Sequence, residues 1–212
     1  MLELVTETVS SLGEEIELRW RQAARGEWQP GGAGGCTPHA YLDVALRPRD
    51  AEGYAAAGIV PYIVRPGEPG PRILLARQGE GKRRGGSSAL VLLGGKREAA
   101  DRSAAGTAAR EAEEETGGLL SAALMSSMVA PVLWFPSGRF AAFLCRMDSD
   151  TLPRAFESLP RKPRFREVES LHWVRLGDAT MRPRELRVHP FCFGVLRCHQ
   201  VRDFLSAQQV RA

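Results

Sequence analysis

Residues 94 to 117 read Gly-Gly-Lys-Arg-Glu-Ala-Ala-Asp-Arg-Ser-Ala-Ala-Gly-Thr-Ala-Ala-Arg-Glu-Ala-Glu-Glu-Glu-Thr-Gly. On a helix, Glu111, Glu114 and Glu115 stand at positions i, i+3 and i+4 and therefore share one face. Like charges on one face repel one another, and the macrodipole disfavours negative charge near the helix C-terminus. The spacing indicates either a solvated acidic face or a site for a hard divalent cation, which takes carboxylate oxygens as ligands.

The stretch resembles the Nudix box, Gly-x5-Glu-x7-Arg-Glu-U-x-Glu-Glu-x-Gly-U, in which U is a bulky apolar residue. The residues that match are Gly95, Arg110, Glu111, Glu114, Glu115 and Gly117. The resemblance implies an α/β (α+β) fold of the Nudix type, which is an α/β/α sandwich built around a mixed sheet.

The stretch also departs from this pattern. Asp101 replaces the first glutamate, and eight residues instead of seven separate it from Arg110. The two U positions hold the smaller Ala112 and Gly118. The longer spacing is similar to that of the coenzyme A diphosphatase branch, whereas the Asp-Arg-Ser triplet at 101–103 looks like the branch of inosine diphosphatases and RNA-decapping enzymes. No single branch therefore supplies a substrate.

The resemblance assigns roles to residues of the box. Glu114 and Glu115 are expected to be the principal ligands of Mg²⁺ or Mn²⁺, and the carbonyl of Gly95 is expected to complete part of the shell. Glu111 is expected to be a ligand or the catalytic base. Arg110 is expected to orient a glutamate through a charge-assisted hydrogen bond.

Other acids are left open by the sequence. Asp101 is one methylene shorter than the residue that the pattern expects, so it is either near the metal or structural. The resemblance also implies a late acid outside the box that acts as base or ligand. Glu157, Glu167 and Glu169 are the candidates, and surface exposure is the alternative for each.

The substrate-binding residues are predicted from their positions beside the expected phosphate site. Lys96 and Arg97 follow the two glycines of the box, and Arg77 ends a predicted strand. Four aromatic residues could stack on a base or belong to the core, and these are Trp134, Phe135, Phe140 and Trp173.

The pattern along the chain divides it into an N-terminal extension with a glycine-rich linker, residues 1–50, and a core domain, residues 51–212. Residues 2–26 have a helical pattern, and 30–35 hold the densest run of glycines. The core alternates short apolar runs with turns, as in a sheet flanked by helices. Strands are predicted at 57–64, 72–77, 89–93, 129–135, 139–146 and 169–176, and helices at 106–115 and 191–201.

Composition sets limits on the class of protein. The 212 residues are 43% hydrophobic and 25% charged, which is ordinary for a globular protein with one large domain. A net charge of +4 suits a nucleotide substrate but is too small to argue for nucleic acid by itself. Two dense basic clusters, Lys82-Arg83-Arg84 and Arg161-Lys162-Pro163-Arg164, are either plain exposed loops or contacts for a polyanion.

The four cysteines, at 36, 145, 192 and 198, lack metal-ligand spacing and are expected to be free thiols in a reducing compartment. We find no basic segment before an apolar core at the N-terminus, and no apolar run of about 18 residues that would span a membrane. The expected location is therefore cytoplasmic, with a nucleus or an organelle left open.

The sequence thus predicts a metal-dependent hydrolase that cleaves a phosphoanhydride bond in a nucleoside diphosphate linked to another group. An RNA-cap hydrolase and a non-catalytic subunit that binds RNA or a nucleotide are the alternatives. The expected partner is a nucleotide-type small molecule, with RNA and a homodimer left open and no membrane partner.

Overall fold

The computed structural model describes residues 53–79, 88–124, 129–135, 139–160 and 167–210. The predicted N-terminal extension, its linker, both basic clusters and Cys36 lie outside these ranges. The strands are β1 Ala56–Ile63, β2 Arg72–Gln78, β3 Leu90–Val91, β4 Leu93–Lys96, β5 Val129–Phe135, β6 Phe140–Arg146 and β7 Val168–Arg175. The helices are α1 Ala104–Glu115, α2 Leu152–Glu157, α3 Leu176–Met181, α4 Pro190–Arg197 and α5 His199–Val210.

Strand β1 is the centre of one mixed sheet. It pairs antiparallel with β2 and β4, and parallel with β6. The sheet continues through antiparallel pairs from β6 to β5 and from β2 to both β3 and β7. The predicted fold class, a mixed sheet flanked by helices, is confirmed.

The two faces of the sheet bury separate apolar clusters. One cluster lies under α1 and α2 and includes Ala108 and Phe156. The other lies under α3, α4 and α5 and includes Leu196 and Leu205. Because strand side chains alternate between faces, β2 serves both clusters, with Leu74 on the side of α1 and Leu75 on the other. This arrangement is the α/β/α sandwich that the sequence predicts.

Helix α1 has a defined beginning and end. The Ser103 hydroxyl caps the N-terminus by accepting the Gly106 N–H at 3.0 Å. At the other end Gly117, at φ 66°, turns the chain so that the Gly118 N–H donates to the carbonyl of Glu113 at 2.7 Å. Gly117 and Gly118 therefore close a Schellman motif, where a positive φ favours glycine.

The face that α1 turns to the sheet is made of small residues. Ala104, Ala108 and Ala112 stand at i, i+4 and i+8, and all three are fully buried. Ala112 is a position where the box pattern expects a bulky residue, and its small side chain suits a helix that lies close on the sheet. Leu120, just past the box, is buried in the same cluster.

Residues 89–93 form two strands, contrary to the single strand predicted. Val91 pairs with Ala76 of β2, whereas Leu93 pairs with Ile59 of β1, so the chain changes neighbours at Leu92. Strand β4 also continues through Gly94 and Gly95 to Lys96, three residues beyond the end of the strand predicted at 89–93.

The C-terminal segment forms two helices, where the sequence predicts one over 191–201. Cys198 separates α4 from α5 with an extended backbone, φ −53° and ψ 130°. This break lets both helices pack on the sheet, since Leu196, Val201 and Leu205 are all fully buried. In the part of the chain described here, no helix is both long and apolar enough to cross a membrane.

Candidate functional site

Two glutamates of α1 lie against the two glycines of β4. The Gly94 N–H donates to Oε2 of Glu115 at 2.8 Å, and Glu115 is only 9% exposed. The Glu111 carboxyl lies so close to Gly95 that a Cβ at that position would collide with it. A residue without a side chain at 95 is therefore what makes room for the Glu111 carboxyl.

Arg110 connects the acidic residues of the site. Its Nη2 lies 3.0 Å from Oε1 of Glu111, and its Nη1 donates to Oε2 of Glu114 at 3.2 Å. The same Nη2 approaches the carbonyl of Lys96 at 3.0 Å. One guanidinium thus neutralises carboxylates on two turns of α1 and contacts the end of β4.

Asp101 binds the edge of this guanidinium that carries Nε and Nη2. Oδ1 accepts from Nε of Arg110, and Oδ2 accepts from Nη2, each at 3.1 Å. Oδ2 also accepts the Glu98 N–H and the Thr107 hydroxyl, both at 2.8 Å. These donors, Arg110 first, hold the pKa of Asp101 at about 2. The sequence leaves the role of Asp101 open, and in the structure this residue is a hydrogen-bond acceptor that holds Arg110 in place.

Two residues that the sequence does not single out complete this network. The Tyr54 hydroxyl lies 2.9 Å from Oγ1 of Thr107, and both residues are buried, at 1% and 0% exposure. Tyr54 also carries the Arg97 guanidinium over its ring, 4.7 Å from the centroid. The sequence offers a signal for Thr107, which stands six positions after Asp101 at the start of a helix, where a hydroxyl can reach the preceding loop. It offers none for Tyr54.

Burial and the charge of Arg110 shift the pKa of Glu111 in opposite directions. Removal from water raises the pKa of Glu111 above its usual value, and the positive charge of Arg110 opposes this rise. Glu114 and Glu167 add smaller repulsions in the same direction as burial. Of the three late acids considered, Glu167 is the one whose charge acts on Glu111.

The predicted phosphate-binding residues do not form one cluster. Lys96 is exposed at the end of β4, beside Arg110, and Arg97 is exposed over Tyr54. Arg77 stands two residues after Leu75 along β2, so it lies on the same face as Leu75, opposite α1, and its Nη1 donates to Oγ of Ser88 at 3.5 Å.

The aromatic candidates separate in the structure. Phe135 and Phe140 are buried and pack with Phe191, so they belong to the core. Trp173 is half-buried, and its Nε1 donates to the carbonyl of Asp150 at 2.9 Å. The side chain of Trp134 lies outside the described residues.

The donor set fits a hard divalent cation in its chemistry. Carboxylate oxygens come from Glu111, Glu114 and Glu115, and the missing side chain at Gly95 leaves a space that a Cβ would fill. Over the described ranges, however, no three acidic, cysteine or histidine side chains already converge as metal ligands. The reason is visible in the contacts, because Arg110 holds Glu111 and Glu114, and the Gly94 N–H holds Glu115.

A cavity of about 450 Å³ lies at the other end of the sheet, between β7 and α3. Arg72 and Arg182 line it, but each already has an acidic neighbour, Glu68 at 2.7 Å and Glu185 at 4.0 Å. Two of its three arginines already have acidic neighbours and no residue of the box lines it, so we do not assign the site to this cavity.

Comparison with known proteins places these features in a family. The model of the NUDIX domain matches residues 55–191. The fold is similar to that of the M. smegmatis Nudix hydrolase RenU (16% identity, 73% of this chain and 87% of that chain, TM-score 0.42). It is also similar to a mutT/nudix family protein from Listeria innocua (19%, 76% and 99%, 0.45) and to a C. elegans Ap4A hydrolase (16%, 72% and 98%, 0.46). Among curated proteins none matches the chain in sequence. The domain match spans more than half of the 212 residues, and this chain therefore belongs to the Nudix family.

Proposed function

We propose that this protein is a divalent-metal-dependent pyrophosphohydrolase that cleaves a phosphoanhydride bond in a nucleoside diphosphate linked to another group. The observation that carries this proposal is the placement of Glu111 and Glu115 against Gly95 and Gly94. Carboxylates beside an open backbone, next to an exposed lysine, form a surface suited to a metal ion with phosphates bound to it.

The reaction needs water and no other reactant. The oxygen of water adds to one phosphorus atom, and the bond from that phosphorus to the bridging oxygen breaks. The bridging oxygen leaves with the second phosphate, and the protons of the water pass to a base and to solvent. Catalysis of this kind depends on orienting the water and on neutralising the charge of the phosphates.

Glu111, Glu114, Glu115 and the carbonyl of Gly95 would hold Mg²⁺ or Mn²⁺. Such a cation supplies Lewis acidity toward the phosphate oxygens and lowers the pKa of a bound water. Glu114 is the most exposed of the three carboxylates, with 60% of its side chain accessible. Moving Glu114 from Arg110 to a metal ion would therefore disrupt fewer buried contacts than moving Glu111 or Glu115.

Glu111 and Arg110 have roles that follow from their contacts. Glu111 would either hold the cation or accept the proton of the attacking water, since its carboxyl lies against Gly95 at the end of β4. Arg110 orients Glu111 through the 3.0 Å ion pair made by its Nη2, while Asp101 fixes the guanidinium at Nε and Nη2. Charge-assisted contacts of this type define a direction as well as a charge.

Lys96 and Arg97 would bind the phosphates of the substrate. Lys96 is best placed, because it is exposed and its own carbonyl contacts Arg110. Arg97 would reach a phosphate from its place over Tyr54. Arg77, the third residue predicted to contact the substrate, lies on the opposite face of the sheet, and this proposal gives it no contact with the phosphates.

A reducing intracellular compartment, such as the cytoplasm, is part of this proposal. Cys145 and Cys192 are free and buried, which agrees with a protein that needs no disulfide for its stability.

The test is hydrolysis over a panel of nucleotide sugars, dinucleotides, coenzyme A, nucleoside triphosphates and capped RNA, with Mg²⁺ or Mn²⁺. We expect wild type to cleave at least one diphosphate-linked compound, and we expect Glu114→Gln to lose at least a hundredfold in kcat. Glu113→Gln is the matched control, because the Glu113 carboxylate accepts the Ala122 N–H on another side of the helix. If wild type and Glu114→Gln are equally inert on every compound, the enzyme proposal is wrong, and hydrolysis of capped RNA alone would favour the RNA-cap alternative.

A further inference from the structure

We propose that Tyr54, which lies outside the box, is a positioning residue for Arg110 and acts on it through Thr107 and Asp101. Only the catalytic consequence of this inference rests on the proposed function. The positioning itself is a property of the folded protein without metal or substrate, and it can be measured there.

The direction of each hydrogen bond in this chain is determined. The Asp101 carboxylate can only accept, so Thr107 uses its single hydroxyl proton to donate to Oδ2 at 2.8 Å. Oγ1 of Thr107 is then left as an acceptor for the Tyr54 hydroxyl, 2.9 Å away. Tyr54 therefore donates to Thr107 and Thr107 to Oδ2 of Asp101, while Asp101 accepts Arg110 at both of its oxygens. All the donors point toward the same carboxylate.

Burial makes this chain effective. Tyr54 and Thr107 are almost inaccessible to solvent, and Asp101 is 8% exposed. In such surroundings a hydroxyl without a partner is costly, so each member has a strong preference for its neighbour over water. A phenylalanine at 54 would remove the donor that Oγ1 of Thr107 accepts, so only the bond to Asp101 would remain to fix the position of the Thr107 hydroxyl.

The loop explains why the box needs support from outside. Asp101 is shorter than the glutamate of the box pattern, and one additional residue separates it from Arg110. Tyr54 contacts the chain on both sides of this longer loop, since its ring lies under Arg97 before it and its hydroxyl reaches Thr107 in the first turn of α1. The tyrosine thereby restricts where Asp101, and with it the guanidinium, can lie.

The experiment follows the Nε–H resonance of Arg110 by NMR in the full-length, metal-free protein, with Arg110→Lys used to assign it. In wild type we expect a shifted resonance in slow exchange with water, because Nε donates to Oδ1 of Asp101. Tyr54→Phe and Thr107→Val should each speed its exchange about fivefold or more, as expected for the loss of one hydrogen bond. Thr107→Ser, which keeps the hydroxyl, should restore slow exchange.

Tyr62→Phe is the matched control, because Tyr62 is a buried tyrosine at the other end of β1 and packs against Phe204. It removes the same atom without touching the network, so the Arg110 signal should remain as in wild type. If Tyr54→Phe and Thr107→Val both fold and leave the Arg110 exchange rate unchanged, the positioning role is wrong. A change in the signal of Tyr62→Phe as large as that in Tyr54→Phe would overturn it equally.

Kinetics supply a second measurement once a substrate is known. Tyr54→Phe should lower kcat about fivefold and leave KM within twofold, since the orientation of the guanidinium matters more for the reaction than for binding. An inactive wild type would remove the proposed function and leave the NMR result standing. An active wild type with unchanged kcat in Tyr54→Phe would overturn the catalytic consequence.

Discussion

Asp101 and Arg110 meet as a two-pronged pair, with Nε on Oδ1 and Nη2 on Oδ2, each at 3.1 Å. This pairing shows how an aspartate can stand where the box pattern has a glutamate. The loop before α1 brings the shorter carboxylate up to the guanidinium, and the Glu98 N–H and the Thr107 hydroxyl hold it there.

Asp101→Asn should destabilise the protein by about 2 kcal/mol, because an amide keeps the shape but loses the charge that Arg110 and the other donors require. Urea unfolding followed by circular dichroism measures this difference. Asp148→Asn, at an exposed position, should change the unfolding free energy by less than about 0.5 kcal/mol. Equal effects of the two substitutions would contradict the assigned role of Asp101.

The same pair predicts how stability depends on acid. The pKa of Asp101 is depressed in the folded state from 3.8 to about 2. The stabilisation is therefore complete above the unfolded value and is lost as the pH falls from about 4 toward 2. Unfolding free energies of wild type and Asp101→Asn, measured across this range, should converge as the pH falls. A constant difference down to pH 2 would mean that another group provides the acid sensitivity.

Much of the fold is predictable from the sequence because its elements are locally coded. The glycines after Glu115 mark the end of α1, whose start lies at Ala104 instead of the predicted residue 106, and apolar runs mark the strands that lie in the sheet. The change of strand at Leu92 and the break at Cys198 are not predictable in this way. Both depend on which neighbour offers a surface to bury against, and a local pattern does not hold that information.

Glu115→Gln tests the carboxylate that lies against Gly94. The amide oxygen can still accept the Gly94 N–H, so we expect the unfolding free energy to stay within about 1 kcal/mol of wild type. The affinity for Mn²⁺, measured by calorimetry or electron paramagnetic resonance, should fall at least about tenfold because a charged ligand is lost. Glu113→Gln is the control, and equal affinity in the two variants would exclude Glu115 as a ligand.

Gly94→Ala should be among the most disruptive small substitutions in this chain. Gly94 pairs with Gly58 of β1 at φ 152°, and an added Cβ would lie 2.5 Å from the Gly58 Cα and 2.6 Å from the Ala57 carbonyl oxygen. We expect a loss of about 3 kcal/mol or more, seen in thermal or urea unfolding.

Gly194→Ala is the opposite case and serves as its control. An added Cβ at 194 has no atom within 4 Å, and the residue lies inside α4. The unfolding free energy should rise by about 0.5 to 1 kcal/mol, because alanine is the better helix former. A similar loss in both variants would show that the close approach of β4 to β1 is not the cause at Gly94.

Gly95→Ala should displace the Glu111 carboxyl, since the two would occupy the same space. A flexible side chain can move aside, so we expect a stability loss of about 1 to 2 kcal/mol together with a large loss of hydrolysis. Activity and unfolding measured on the same preparation separate these effects. Full activity in Gly95→Ala would argue against any role for the Glu111 position seen here.

The site was less predictable than the fold, and the residues show why. Glu111, Glu114 and Glu115 share a face by helical spacing alone. Their different partners, Gly95, Arg110 and Gly94, follow from how α1 lies on β4. Tyr54 reaches the box only because β1 begins beside the end of β4, where the Arg97 N–H donates to the carbonyl of Ala55. A contact set by sheet pairing leaves no mark in the linear sequence.

The parallel pairing of β1 with β6 has a consequence for the order in which the molecule assembles. Ala56 pairs with Phe140, so the central strand gains β6, the last of its three partners, only after the whole box has been synthesised. During translation, the carboxylates of α1 leave the ribosome before the sheet that fixes them is complete. A fragment that ends at residue 124 would contain every residue of the box and should still lack the rigid surface against which Glu111 and Glu115 are held.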